Sequence, residues 1–492
     1  MRIKFFLLFL VFAVSLPSFS QKLPPKFQGH NLKFKINGLK DTVAYLAGYY
    51  GPKQYFKDTA DVDSQGNLVF KGKDSLPGGI YSVVMPDKGT YFEFIINEQN
   101  FSMETDTGNF VKAMKVKGSV ENDLFYKRLN YLEGKQKEIN PFKAIAEDST
   151  KSEEAKKPSR DKLSAIDKEI KEYTLKVVQE NPSTFLAKVF KAMEEPEVPE
   201  TPLLPNGAKD SLFPFRYYKD HFFDNVDFRD DRLLRTPVFH NKMEKYLSKL
   251  TVQHPDSISA AADFMAAKAK GNKEMFKYIV HYVTSTYEKS NIMGMDAVFV
   301  HMAQNYYMKG EAFWIDTAQL AKITERANKL APLLVGKKVV NVTLQDTSCK
   351  KWYSLYDVKA KYTVLIFWDP NCGHCKKVIP KLKELFDKYS DRNFFDVFAV
   401  GTEFEDKDWS KFIVEHNLNW TNVSDNPEIN KNYAKYIHLT NIESLNFRQT
   451  FDIYATPVTL LLNENKEIIA KKIDVEQIEE LLERFQKKED KK

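Results

Sequence analysis

The stretch TVLIFWDPNCGHCKKVIP, residues 363–380, decides the fold of the C-terminal third of the chain. Its first six residues form a nearly continuous apolar run, which is typical of a buried central strand. A helical pattern of apolar residues follows at 378–389. A buried strand that leads into a helix predicts an α/β sheet with helices on its faces.

The sequence on either side continues this alternation of strands and helices. It predicts a hairpin at 339–344 and 352–355, a buried strand at 395–400, a helix at 408–416, an antiparallel pair at 458–462 and 467–471, and a closing helix at 475–485. These elements predict one C-terminal domain at residues 333–490.

The tetrapeptide Cys372-Gly373-His374-Cys375 carries the chemical signal. A thiolate at a helix N-terminus is stabilised by free backbone N–H groups and by the helix dipole. Cys372 is therefore the expected attacking thiol, and Cys375, one turn later, the resolving thiol. Gly373 is expected to allow a tight turn, and a protonated His374 would further favour the thiolate.

Two other interpretations of this motif remain open. Half of a zinc site would need two more ligands, and the sequence contains no second cysteine pair. A passive structural disulfide would need no reactive thiol. Cys349, in a polar turn at 346–350, is interpreted as a bystander rather than a regulatory thiol. We expect no metal and no cofactor.

The run from Phe367 to Lys377 resembles the active-site stretch of the TlpA/ResA-like redoxins, thioredoxin-fold proteins of bacterial cell envelopes. The resemblance covers about residues 333–490 and includes Trp368 beside the motif. Pro380 matches the proline that kinks the active-site helix in this family. Thr456-Pro457 looks like the family's cis-proline loop, which implies that these two residues help to hold the substrate chain.

Two positions depart from the family pattern. Thioredoxins carry a buried Asp six residues before the first cysteine, whereas this chain has Ile366. Some envelope members carry a Glu three residues after the second cysteine, whereas this chain has Val378. The sequence does not name the acid that would take over proton transfer.

The spacing of apolar residues divides the preceding two thirds of the chain into a β region and a helical region. Short apolar runs separated by turn signals predict a small antiparallel β-sandwich or barrel at 28–117. Helical spacing predicts an α-helical domain at 119–332, with an exposed loop at 149–160 and an extended, proline-spaced segment at 196–205. Both regions more weakly resemble accessory domains of envelope proteins of Bacteroidetes.

Residues 1–20 are typical of a cleaved signal peptide. Arg2 and Lys4 precede an apolar run at 5–16, and Ser18 and Ser20 suit the cleavage site. A membrane anchor is the alternative, but the run is short for a spanning helix. We therefore expect a periplasmic protein secreted through this peptide.

Composition excludes several classes of function. The 73 basic and 67 acidic residues are mixed along the chain, so the net charge of +6 makes no case for nucleic acid binding. Three cysteines are too few for a disulfide scaffold. Charged residues make up 28% of the chain, which excludes a polytopic membrane protein.

The sequence thus predicts a thiol–disulfide oxidoreductase. Its expected partners are protein thiols or disulfides in the envelope and a membrane or periplasmic electron donor. The alternative is an envelope protein that binds a ligand or partner and keeps a structural thioredoxin-like module. The intact motif with its proline favours the enzyme, and a peroxidase is a weaker interpretation because it needs a different arrangement around a single cysteine.

Overall fold

The computed structural model describes residues 29–489 apart from 390, 403–405 and 425. The signal peptide expected at 1–20 lies outside the described residues. The chain forms two compact units. The first ends at Glu195 and also takes in Arg232–His240, and the second comprises Pro196–Asp231 and the chain from Asn241 onward.

The first unit begins with two four-stranded sheets, ordered β4-β1-β7-β8 and β3-β2-β5-β6. Alternate side chains from both sheets, such as Leu32, Phe34 and Leu46, share one core. The strands are β1 His30–Asn37, β2 Thr42–Tyr50, β3 Lys53–Val62, β4 Asn67–Gly72, β5 Gly79–Val84, β6 Tyr91–Ile96, β7 Asn100–Asp106 and β8 Lys115–Lys117.

The predicted β-sandwich is confirmed with two differences. Within residues 29–117 the pairs are antiparallel except β1 with β7, which run parallel. The apolar runs in the sequence correspond to six of the eight strands and leave out β3, most of whose side chains are exposed and polar, and the three-residue β8.

Three helices complete the first unit: α1 Val120–Ala146, α2 Glu153–Glu180 and α3 Phe185–Met193. The loop expected at 149–160 is wrong from residue 153 onward. The Ser152 side chain accepts a hydrogen bond from Ala155 N–H and caps α2. An exposed segment rich in Glu, Lys and Ala can be helical without an apolar face, which explains the error.

The helical part continues with α4 Phe213–Asp220, α5 Pro237–Lys245, α6 Pro255–Ala269, α7 Lys273–Glu288, α8 Asp296–Met302 and α9 Thr317–Leu330. The proline-spaced segment at 196–205 lies outside all helices, as expected. Among the described residues, no helix is both long enough and apolar enough to cross a bilayer.

The C-terminal part of the second unit is a seven-stranded sheet ordered β10-β9-β13-β12-β11-β14-β15. Its strands are β9 Thr343–Asp346, β10 Trp352–Ser354, β11 Tyr362–Trp368, β12 Phe395–Gly401, β13 Thr421–Ser424, β14 Val458–Leu462 and β15 Ile468–Lys471. Its helices are α10 Cys375–Lys388, α11 Asp406–Glu415, α12 Pro427–Lys431, α13 Tyr433–Tyr436, α14 Ile442–Leu445, α15 Phe447–Thr450 and α16 Val475–Glu489.

Strand β11 lies at the centre of this sheet and is buried on both faces. It runs parallel to β12 and antiparallel to β14. Ile366 and Trp368 face the core under α10 and α16, whereas Leu365 and Phe367 face the opposite core. The α/β prediction is confirmed, and β11 ends where the cysteine motif begins.

Candidate redox site

The turn between β11 and α10 places the two cysteines at the start of the helix. The backbone N–H of Cys372 donates to Asp369 O at 3.2 Å, and the N–H of Asn371 donates to Asp369 Oδ1 at 2.7 Å. Cys375 is the first residue of α10. Cys372 therefore lies one turn before a helix whose first N–H groups point toward it.

The two cysteines differ sharply in burial and in acidity. Cys372 is partly exposed, whereas Cys375 is 0% exposed, and both are reduced thiols. A hydrogen bond from the backbone N–H of Cys375 is the main cause that lowers the pKa of Cys372. Burial raises the pKa of Cys375 to about 11. An accessible thiol that ionises readily thus neighbours a buried one that stays protonated at neutral pH.

The loop at Thr456 lies against the motif, 84 residues further along the chain. The Thr456–Pro457 peptide bond is cis, as the resemblance implied. The Cys372 thiol donates to the Thr456 carbonyl oxygen over 3.3 Å. The Thr456 side chain also acts to lower the pKa of Cys372 and of Cys375, which favours the thiolate in each case.

The other motif residues fall into two groups. His374 is exposed at the N-terminus of α10, and Pro380 lies within that helix. Trp368 is fully buried, its carbonyl oxygen accepts the Thr402 N–H at 2.9 Å, and its ring packs against that of Phe412. Trp368 therefore fixes the end of β11 rather than offering a surface to a substrate.

Position 373 does not require glycine, although the sequence suggested that glycine allows a tight turn there. Its φ lies outside the left-handed region, and a Cβ there would meet no surrounding atom within 4 Å. The turn before α10 therefore does not depend on glycine at this position.

Ile366 and Val378, which replace the acids of the family pattern, lie in or against the core that contains Cys375. Ile366 is fully buried in the same core as Cys375. A buried acid does lie on the neighbouring strand, and burial raises the pKa of Asp396. However, Asp396 is in register with Thr363, five residues or roughly 16 Å before the end of β11, and the motif lies beyond that end. Asp396 is therefore not the missing acid.

Four charged residues near the motif escaped the sequence analysis. Lys471 forms an ion pair with Asp296 of α8, and Asp452 forms one with Arg326 of α9. Burial lowers the pKa of Lys471. A lysine at an inward position of the apolar strand β15 was the one signal in the sequence, but it did not identify its partner 175 residues away.

Comparisons with known proteins agree with this arrangement. Residues 335–471 match the AhpC/TSA family, whereas 149–331 and 30–125 match two domains of unknown function, DUF5106 and DUF4369. The chain is 26% identical over 155 residues to the thiol-disulfide oxidoreductase ResA of Bacillus thuringiensis subsp. konkukian, covering 31% of this chain and 78% of that protein.

Two solved structures are also similar. A thioredoxin-like protein from Bacteroides caccae is 20% identical, with a TM-score of 0.42, covering 58% of this chain and 98% of the other. A domain of a possible thiol-disulfide isomerase from Cytophaga hutchinsonii is 40% identical, with a TM-score of 0.27, covering 33% and 99%. The family match and the ResA relatives define the C-terminal region as a TlpA/ResA-like redoxin domain.

Proposed function

We propose that this protein exchanges disulfides with protein cysteines through Cys372 and Cys375. The observation that carries the proposal is the contrast between the two thiols: an accessible Cys372 with a lowered pKa stands before a buried Cys375 with a raised pKa. This is the division of labour that an attacking and a resolving thiol require.

In the reductive direction, the Cys372 thiolate attacks one sulfur of a substrate disulfide. A Cys372–substrate disulfide forms, the substrate S–S bond breaks, and the second substrate sulfur leaves as a thiolate that takes up a proton. Cys375 then loses its proton and attacks Cys372, which releases the first substrate sulfur. The substrate gains two electrons, and the motif becomes a disulfide that an external dithiol must reduce.

The residues around Cys372 are placed to assist the exchange reaction. The Thr456 carbonyl oxygen and the Thr456 side chain lie against the sulfur, so Thr456 and Pro457 are positioned to contact an incoming chain. His374 is exposed on the same side and adds positive charge when protonated. Trp368 and Pro380 would support the motif without contacting the substrate, whereas Gly373 has no role that requires glycine.

The setting proposed for this reaction is the periplasm. The signal-peptide pattern at 1–20 supports export, and an extracytoplasmic site is where protein disulfides persist. The partners would then be envelope proteins with thiols or disulfides and a membrane or periplasmic electron donor. We retain 28–117, 119–332 and 333–490 as the proposed domains.

The test combines insulin reduction with trapping of intermediates. With dithiothreitol as the electron source, the full chain should reduce insulin and Cys372→Ser should not. Cys375→Ser should accumulate mixed disulfides with envelope proteins, because Cys372 can attack but cannot be released. Cys349→Ser is the matched control and should behave as the unaltered chain. Equal adduct yields from Cys372→Ser and Cys375→Ser would contradict the assigned roles.

A further inference from the structure

A cavity of about 520 Å³ opens beside the redox motif. One wall comes from the redox domain itself, through His374, Val378 and Pro457. The facing wall comes from the helical region, through Asp296 at the start of α8 and Leu330 at the end of α9, together with Leu333. The helical region therefore shapes the space next to the reactive thiol.

The interior of this cavity is mostly apolar. Two of its charged wall residues are engaged with each other, because Lys471 Nζ donates to the Asp296 carboxylate. Lys471 Nζ also donates, at 2.6 Å, to Leu333 O. The side chains of Lys471 and Asp296 are only 6% and 13% exposed. The other charged lining residues are exposed or paired outside the cavity: His374, Lys472 and Asp474 are exposed, and Asp452 pairs with Arg326. The remaining apolar lining consists of Leu330, Leu333, Val378, Phe451, Pro457, Val458, Leu460 and Ile473.

The position of the cavity relative to Cys372 suggests its occupant. His374 is two residues from Cys372, and Pro457 follows Thr456, whose carbonyl oxygen lies 3.3 Å from the Cys372 sulfur. The residues beside the cysteine of a chain that is disulfide-bonded to Cys372 would therefore lie within reach of the cavity. An apolar side chain there gains by leaving water, whereas a charged one would lose its hydration.

We propose that the cavity binds a large apolar side chain next to the substrate cysteine, and that Leu330 of the helical region, together with the adjoining Leu333, sets this preference. The substrate class is then polypeptides whose disulfide is flanked by aromatic or branched aliphatic residues, as in chains that have not yet folded. This inference rests on the proposed function and gives the helical region a role in substrate selection.

The test compares two peptides as symmetric disulfide-linked dimers, identical except for Phe or Asp beside the cysteine. Reduction by the full chain is followed with dithiothreitol as the electron source. We expect kcat/KM for the Phe peptide to exceed that for the Asp peptide by roughly tenfold or more. Leu330→Trp, which fills the cavity, should bring the ratio to within about twofold.

Leu320→Trp is the matched control, because Leu320 lies on α9 but does not line the cavity, and it should keep the full ratio. If Leu330→Trp fails to fold, Leu330→Ala enlarges the cavity instead and should favour a Trp peptide over the Phe peptide. A folded Leu330→Trp protein with the unaltered ratio would overturn the role of the helical wall.

Two outcomes separate this inference from the proposed function. If the unaltered chain reduces insulin but turns over both peptides equally, the inference is wrong and disulfide exchange stands. If it reduces neither insulin nor either peptide, the proposed function fails and the inference falls with it.

Discussion

Cys372 and Cys375 are three residues apart, yet their surroundings favour opposite protonation states. Cys372 meets the N–H groups at the start of α10, whereas Cys375 is enclosed by the apolar core under β11. Deprotonating Cys375 is therefore the harder step of an exchange cycle. Ile366 and Val378 stand at the two positions where related proteins carry an acid, and neither offers a carboxylate to accept this proton.

The two steps should depend differently on pH. Formation of the mixed disulfide should level off at a lower pH than for an ordinary cysteine thiol, because the pKa of Cys372 is lowered. Release should keep rising by about tenfold per pH unit through pH 9, because the pKa of Cys375 is raised to about 11. Rapid-mixing kinetics with a fluorescent disulfide peptide would separate the steps. A release rate that levels off near pH 7 would mean that another group removes the proton.

Thr456→Val tests the hydroxyl that lies near both sulfurs. Valine keeps the shape of threonine but removes a hydrogen bond that favours the thiolate. A bond of about 1 kcal/mol corresponds to about fivefold less thiolate below the pKa. Alkylation of Cys372 by iodoacetamide at pH 6–7, in the Cys375→Ser background, should slow by up to this factor.

Thr459→Val provides the control for this substitution, because Thr459 lies on β14, beyond Pro457. Its alkylation rate should match that of the unaltered background. An equal slowing in both variants would assign the effect to packing of the loop rather than to the Thr456 hydroxyl.

The sequence predicted the residues of the motif but not the charged residues that surround it. Cys372 and Cys375 share a short local pattern with a stated chemistry, and Thr456-Pro457 was found through the family resemblance. Lys471 and Asp296 are 175 residues apart, and neither belongs to a pattern that would pair them. Long-range ion pairs depend on tertiary packing, which periodicity does not encode.

At the level of elements, the buried strands at the centre of the sheet were predicted more accurately than the short helices. Strand β11 is buried on both faces and was found almost to the residue, and β14 matched its prediction at 458–462. Helices α12 to α15, of four or five residues each, were missed because they are too short to show a helical period. The α10 prediction began three residues late because the motif itself forms the first turn.

The contact between β12 and α11 gives a test at this scale. A Cβ at Gly401, the last residue of β12, would lie 2.7 Å from Trp409 Nε1 of α11. Trp409 is buried and cannot retreat freely, so Gly401→Ala should destabilise the protein by about 1–3 kcal/mol. Urea denaturation followed by tryptophan fluorescence would measure the free energy of unfolding.

Gly134→Ala is the contrasting variant. Gly134 lies within α1, and a Cβ there would meet no atom within 4 Å. The substitution should stabilise that helix by about 0.5–1 kcal/mol, because alanine has the higher helix propensity. If the Gly401→Ala chain is as stable as the unaltered one, the Trp409 side chain can move away from the new Cβ without loss of stability.

At the level of the whole molecule, two ion pairs among the described residues join the helical region to the redox domain within the second unit. Asp296 of α8 reaches Lys471 of β15, and Arg326 of α9 reaches Asp452, five residues before Pro457. Both pairs are largely buried. The redox domain is thus bound to a helical neighbour at β15 and at the segment that leads to Pro457.

The Asp296–Lys471 pair should make the redox domain depend on the helical region for stability. Asp296→Leu leaves the Lys471 ammonium buried without its counter-charge and should cost about 3–5 kcal/mol of unfolding free energy at pH 7. Asp296→Leu combined with Lys471→Met replaces both charges with apolar groups and should restore most of this loss. The comparison is made by urea denaturation of the full chain.

The pH dependence of the single variant provides its check. The pKa of Lys471 is already lowered by burial, and removing Asp296 takes away an attraction that favours the charged form. Between that lowered pKa and about 10.5 the unfolded chain binds more protons than the folded one, so the single variant should gain stability as the pH rises from 7 to 10. The double variant lacks the ammonium and should not show this gain. A single variant as stable as the double one at pH 7 would mean that water already solvates Lys471 and that the pair does not bind the two regions together.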